Sequence, residues 1–298
     1  MIIVMHNFVR SDISIEDLLN EVGYRLRGHQ NDFFIANKDR LKVLFAEYNE
    51  KAANNALHTL VPEWKQDSSD DKATKNEKAK KKKCAYRLYG SKRRFVNKLW
   101  EELTAKNGGD KLYCPICGLN YCKDMDHFVP RDVGLFPEYS AHTNNLIPLC
   151  HDCNLMKWNK FLDSDGERLY FNAYYDLLSQ RNILVCDISL SPDNGDPQIV
   201  VNVDSELSET NVPDKYIRST IKDLKLLDLF NAKAKEYLKK EMVWISKSVG
   251  RSWEVIKDDM TKVAMELEGD HDMVYPAVLR AIANSAYMEE WFNRETNK

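Results

Sequence analysis

Cys114-Pro115-Ile116-Cys117-Gly118 and Cys150-His151-Asp152-Cys153-Asn154 are two Cys-x-x-Cys knuckles with 32 residues between them. One knuckle places two thiolates on a single ion. Two complete a tetrahedral zinc site with no open position, so the pattern reads as a structural Zn²⁺ held by Cys114, Cys117, Cys150 and Cys153. The stretch 111–165 is dense in Cys, His, Asn, Pro and Gly and has no long apolar period. Its fold therefore needs the metal, which in small modules contributes on the order of 10 kcal/mol of apparent free energy. An odd total of seven cysteines in a 298-residue chain argues against a secreted disulfide framework.

Just upstream, the residues from Lys72 to Lys98 include twelve Lys/Arg and one acid, Glu77, while the rest of the chain carries 31 basic and 45 acidic residues. A concentrated basic stretch on an acidic body is an electrostatic footprint for a polyanion. Arg87, Lys92, Arg93, Arg94 and Lys98 interleave with Tyr86, Tyr89, Phe95, Leu99 and Trp100. That spacing predicts one helix ending at Gly108-Gly109, with its aromatic face in the core and its basic side chains offered to nucleic acid. A 43% hydrophobic content excludes a mostly disordered chain, and 11 Gly with 9 Pro exclude a collagenous one. No apolar run is long enough for a transmembrane helix, and the opening Met1-Ile2-Ile3-Val4-Met5-His6 lacks the basic region and cleavage site of a secretory signal. The expectation is a cytoplasmic protein without membrane association.

Further out, the pattern divides the chain into a helical region (1–65), a flexible charged linker (66–83), a basic helix joined to the metal module (84–165), and a hairpin with further helices (166–298). Ser14-Ile15-Glu16-Asp17 has capping-box spacing before Leu18, Leu19 and Val22. Asn37 is placed to cap a second helix that Pro62 ends. A short helix is expected at about 172–181. Strands at 183–188 and 198–203 flank Pro192-Asp193-Asn194-Gly195-Asp196-Pro197, and helices follow at about 214–247, 252–267 and 273–293. The fold class is α+β, a mostly helical chain carrying a small zinc-stabilised module.

Between the knuckles lie Asp126-His127-Phe128-Val129-Pro130 and Asn144-Asn145-Leu146-Ile147-Pro148-Leu149, and the second knuckle runs into Asn154-Leu155-Met156-Lys157. This order resembles the HNH endonucleases of the ββα-metal fold, in the branch where two knuckles hold a structural zinc. The resemblance covers about 50 of 298 residues. It implies His127 as the general base that activates water, Asp126 and Asn154 as ligands of a catalytic divalent ion, and Asn145 as the middle Asn that holds His127 in place. Adjacent Asn144 fits the same position in the pattern. The chemistry agrees: a neutral imidazole can accept a proton at neutral pH, and one carboxylate with one amide oxygen is a sparse, hard site suited to Mg²⁺ or Mn²⁺.

Arg131 and Lys157 fit a grip on phosphate and plain surface charge equally well. His151, inside the second knuckle, is an alternative zinc ligand although four cysteines suffice. His142 reads as a solvated loop residue, Cys84 as a linker thiol, Cys122 as a spectator and Cys186 as a buried strand residue. The helices before the module and Phe171-x-x-Tyr174-Tyr175-Asp176 after it resemble the nuclease subunits of bacterial anti-phage systems of the Septu type, some of them retron-linked. That implies a defence effector paired with an ATPase partner subunit. The expected function is metal-dependent cleavage of DNA or RNA. The alternative is a zinc-knuckle protein that binds nucleic acid without cutting it.

Overall fold

The computed structural model describes residues 7–24, 26–90, 93–176, 183–207, 212–248, 250–267 and 271–296. The architecture is α+β, and the described residues form helices and two two-stranded antiparallel sheets, one in each of two units. The described residues fall into two compact units, one built from 7–115 and 120–177, the other from 116–119 and from 178 onward. The four segments read from the sequence therefore merge: the first three, extended to 177, make one unit apart from the knuckle tip.

In the first unit, α1 (Ile15–Gly23) starts at Ser14, whose hydroxyl oxygen accepts the Asp17 N–H at 3.1 Å and donates to the Asp17 carboxylate. Its Leu18, Leu19 and Val22 are buried against α2 (His29–Ala53). Helix α2 begins eight residues before the expected cap. Asn37 lies inside it, donating its amide to the Phe33 carbonyl one turn back, and the helix stops well before Pro62. Leu41, Leu44, Phe45, Tyr48 and Ala52 form its buried stripe.

The expected flexible linker is corrected. Residues Lys72–Tyr86 form helix α3, with only Ala85 buried. No apolar stripe is needed, because Lys and Ala are strong helix formers, Asp71 caps the first turn through the Thr74 N–H at 2.7 Å, and Glu77 pairs with Lys81 one turn on. Cys84 is thus a helical residue. The single basic helix is also corrected. The chain breaks after α3, and α4 (Arg94–Lys106) is separate, burying Phe95, Val96, Leu99 and Leu103.

Strand β1 (Asp124–His127) pairs antiparallel with β2 (Leu146–Leu149), Asp126 lying opposite Ile147 and His127 opposite Leu146. Helix α5 (His151–Lys157) follows directly. Strand, strand and short helix thus follow one another in this unit.

Glu138, in the single-turn helix Pro137–Tyr139, is fully buried. One carboxylate oxygen accepts the Glu63 N–H at 2.8 Å, and burial, with Glu63 adding to it, pushes the carboxyl up to about 7. The folded state holds this proton more tightly than the unfolded chain. Its contribution to stability is complete below about 4.5 and is lost as pH rises through 7. Glu138→Gln, which mimics the protonated acid, is expected to raise stability at pH 8.5 by on the order of 2–3 kcal/mol and to match the wild type near pH 4.5. Thermal unfolding across that range checks it; equal pH slopes in the two proteins refute it.

In the second unit, β3 (Leu184–Leu190) and β4 (Pro197–Val203) form the expected hairpin. The expected helix at 172–181 is a turn as far as Asp176, and its remainder lies outside the described residues. Two long helices divide. The first becomes α6 (Val212–Asp223) and α7 (Leu226–Ser246), broken at Lys225, which has φ 49°. Helix α8 (Trp253–Glu266) follows. The last divides into α9 (Val274–Asn284) and α10 (Ala286–Thr296), where extended Ser285 caps the Met288 N–H. Cys186 is half-buried in β3. No helix among the described residues is long and apolar enough to cross a membrane.

Candidate active site and metal centre

The four knuckle cysteines are all buried, and their sulfurs lie within 4.8 Å of one another. A tetrahedral zinc with ligands at about 2.3 Å sets its sulfurs roughly 3.8 Å apart, so the cluster is compatible with a structural Zn²⁺. Local geometry sets a backbone donor against one of these sulfurs. Cys150 is the N-cap of α5, and its sulfur accepts the Cys153 N–H. Gly118, just past the first knuckle, has φ +68°, a left-handed turn that suits glycine. His151 is exposed, with Nδ1 at 2.9 Å from the Asp124 carboxylate, and Cys122 stands outside the cluster; neither belongs to the sulfur set.

Beside this frame is a cleft of about 320 Å³ lined by Asp126, His127, Arg131, Asn154, Tyr89 and Trp158, among others. Three of the four expected catalytic residues, Asp126, His127 and Asn154, thus line one cleft. The ring of His127 is buried with Nε2 at 2.8 Å from the Ser140 carbonyl, to which only a protonated nitrogen can donate. That bond fixes the tautomer and leaves Nδ1 with the ring's lone pair. Tyr89 stands edge-on to the imidazole at 4.5 Å between centroids. Burial, assisted by the charges of Arg131 and Lys157, pushes the imidazole down to about 3, so the ring is neutral at physiological pH.

The fourth, Asn145, is fully buried and works from behind. Its side-chain oxygen accepts the Val129 N–H at 2.7 Å and the Tyr48 hydroxyl at 3.1 Å, its amide donates to the Val129 and Tyr139 carbonyls, and its own carbonyl accepts the Phe128 N–H. The two residues after His127 are therefore clamped by one residue, Phe128 by its backbone carbonyl and Val129 by its side chain. Asn144 instead donates to Asn49, which separates the two candidates.

Lys157 is corrected. It is neither a surface charge nor a phosphate grip: it is buried, donating to the Asp126 carboxylate at 2.9 Å and to the His127 carbonyl at 3.0 Å. The reason is helical period. Lys157 lies four residues after Cys153 and shares its inward face. Burial raises the Asp126 carboxyl and Lys157 opposes that rise. Asn154 lies on the cleft with its amide nitrogen donating to Asp124 at 3.1 Å, which turns its carbonyl oxygen the other way.

Arg131 borders the cleft, its guanidinium stacked over Tyr86 and Tyr89 at 4.2 and 4.6 Å. Arg87 is exposed beyond the end of α3. The other basic residues are more committed than their spacing suggested. Arg94 and Lys98 both pair with Glu21, bracing α4 to α1, and Arg93 donates to the Arg87 carbonyl. Lys92 lies outside the described residues. His142 is corrected from a solvated residue to a buried one, stacked on Phe45 at 4.5 Å with Nε2 on Asn49. Sequence reading passed over Ser140, Tyr48 and Asp124, which act on the site only through distant pairings, and Trp158, which adjoins the motif.

No protein-family model matches the chain, and no solved structure matches it. Among curated proteins it is similar to Protein ea31 of Escherichia phage lambda, 34% identical over 71 residues. The match takes in 24% of this chain and 23% of that protein's length.

Proposed function

We propose that this chain is a metal-dependent endonuclease that hydrolyses nucleic-acid phosphodiester bonds with His127 as general base. The observation that carries the reading is the His127 ring, set in a cleft wall with Nε2 spent on the Ser140 carbonyl and Nδ1 left to accept a proton. A water between Nδ1 and a bound phosphate would lose its proton to that nitrogen as its oxygen bonds to phosphorus and the P–O bond to the leaving oxygen breaks. A phosphate held against the buried ring raises its proton affinity from the depressed resting value toward a useful range. Arg131, on the same cleft, offers positive charge to the phosphate.

The donor set fits a small hard cation. Asp126 presents a carboxylate of which Lys157 engages one oxygen, and the side-chain amide oxygen of Asn154 lies on the far side of that amide from Asp124. Mg²⁺ or Mn²⁺ bound there would supply stabilisation of charge developing on the phosphate.

The test is incubation of duplex DNA, single-stranded DNA and tRNA with the purified protein under Mg²⁺, Mn²⁺ or EDTA. At least one substrate is expected to be cut with either metal, to survive in EDTA and to be cut again when Mg²⁺ is restored. Salt-dependent binding with no product under any metal would leave the non-catalytic alternative and refute this reading.

A further inference from the structure

Trp158 closes α5 and lies on the rim of the cleft with 69% of its surface exposed, the most of any large apolar residue in the described chain. Its backbone sits at φ 50°, ψ −134°, a conformation suited to glycine and costly for a bulky side chain. The Trp158 N–H donates to the Asn154 backbone carbonyl at 3.0 Å, so the helix end that carries the candidate metal ligand also fixes the backbone of Trp158. Leu155, 57% exposed, lies beside it on the same cleft. No ring contact of the indole occurs among the described residues. An exposed, strained aromatic at a cleft mouth, with the guanidinium of Arg131 on the same cleft, matches how nucleic acid is held without sequence readout: a base stacked on a flat ring and a phosphate on a cation.

We infer that Trp158 is a base-stacking platform at the entrance to the His127 cleft, and that the preferred ligand is nucleic acid with an unstacked base, as in a single strand. This rests on the nuclease reading for the place of the phosphate but concerns binding, which needs no cleavage. The strain then has a use, since it holds the indole out where a base can meet it.

The experiment measures the affinity of wild type, Trp158→Ala, Trp158→Phe and Trp158→Gly for a fluorescent 12-nucleotide single strand, its abasic counterpart and the matching duplex, in divalent-free buffer. Trp158→Ala and Trp158→Gly should bind the single strand about 10- to 100-fold more weakly with an unchanged salt slope, because the indole carries no charge. Trp158→Phe should keep most of the affinity. The abasic strand should bind wild type and Trp158→Ala alike, and the duplex should be the weaker ligand. Thermal unfolding should show Trp158→Gly at least as stable as wild type, the reverse of a structural role. Equal affinities in all four proteins, no binding by wild type, or an indole needed only for self-association in gel filtration would each overturn the inference. Cleavage by wild type with unchanged Trp158→Ala binding leaves the nuclease reading standing without this one; weakened binding in a protein that never cuts does the opposite.

Discussion

His127→Ala is expected to lower the cleavage rate by about 10²–10⁴-fold, the usual contribution of a positioned general base, while fold and zinc content stay those of the wild type. The fold should survive because the ring's ties are few: one hydrogen bond to the Ser140 carbonyl and one edge contact with Tyr89. The clamp on the following backbone belongs to Asn145, and the Lys157 bond is to the His127 carbonyl, which alanine keeps. A second variant guards against collapse of the emptied space. His127→Asn retains a polar side chain near Ser140 without an imidazole's basicity, and it too should be slow. The comparison is single-turnover cleavage in Mg²⁺, with melting temperature and zinc stoichiometry measured on the same samples. Cutting by His127→Ala at the wild-type rate overturns the assignment.

How much of this was legible depended on range. The knuckles were plain because a zinc site is written in spacing, and the sulfurs meet as the spacing required. Asp126, His127 and Asn154 were placed by their order between and after those knuckles, and one cleft gathers them. Asn144 and Asn145 could not be separated by order. Only the partners 16 residues back and 97 residues back, Val129 and Tyr48, show which one is clamped. Lys157 shows in sequence only its charge, while its place four residues after a buried cysteine on a helix points it inward. Residues 66–83 read as a linker for lack of apolar residues, yet an Asp cap and helix-forming side chains suffice for α3. The last turn of α3 is held by distant chain: Gln30 donates to the Cys84 carbonyl and Ser140 to that of Ala85. The broken helices at Lys225 and Ser285 were invisible because both junctions keep an apolar period across the break.

Cys153→Ala should do its damage to the fold. Cys153 is completely buried in α5, a seven-residue helix too short to persist on its own propensity. What holds it is the sulfur cluster at its start, the Cys150 cap and the inward Lys157 pair. Removing one of four sulfurs takes away a ligand, leaves a methyl beside three thiols, and releases the turn from which Asn154 and Lys157 project. With metal binding of the order of 10 kcal/mol in small sites against about 5–15 kcal/mol of total stability for a typical domain, the variant is expected to lose its zinc and its cooperative unfolding transition near 37 °C. Cys122→Ala is the control, because it removes a cysteine from the same region while sparing the four clustered sulfurs, and it should keep both. Metal content by atomic emission and thermal unfolding on matched samples decide the matter. A Cys153→Ala protein with wild-type melting and undiminished zinc would mean that the cluster is not the frame of this site. The two variants also separate the roles: loss of cutting in His127→Ala with the fold intact, beside loss of fold in Cys153→Ala, is the pair of results expected if sulfur builds the site and the imidazole works in it.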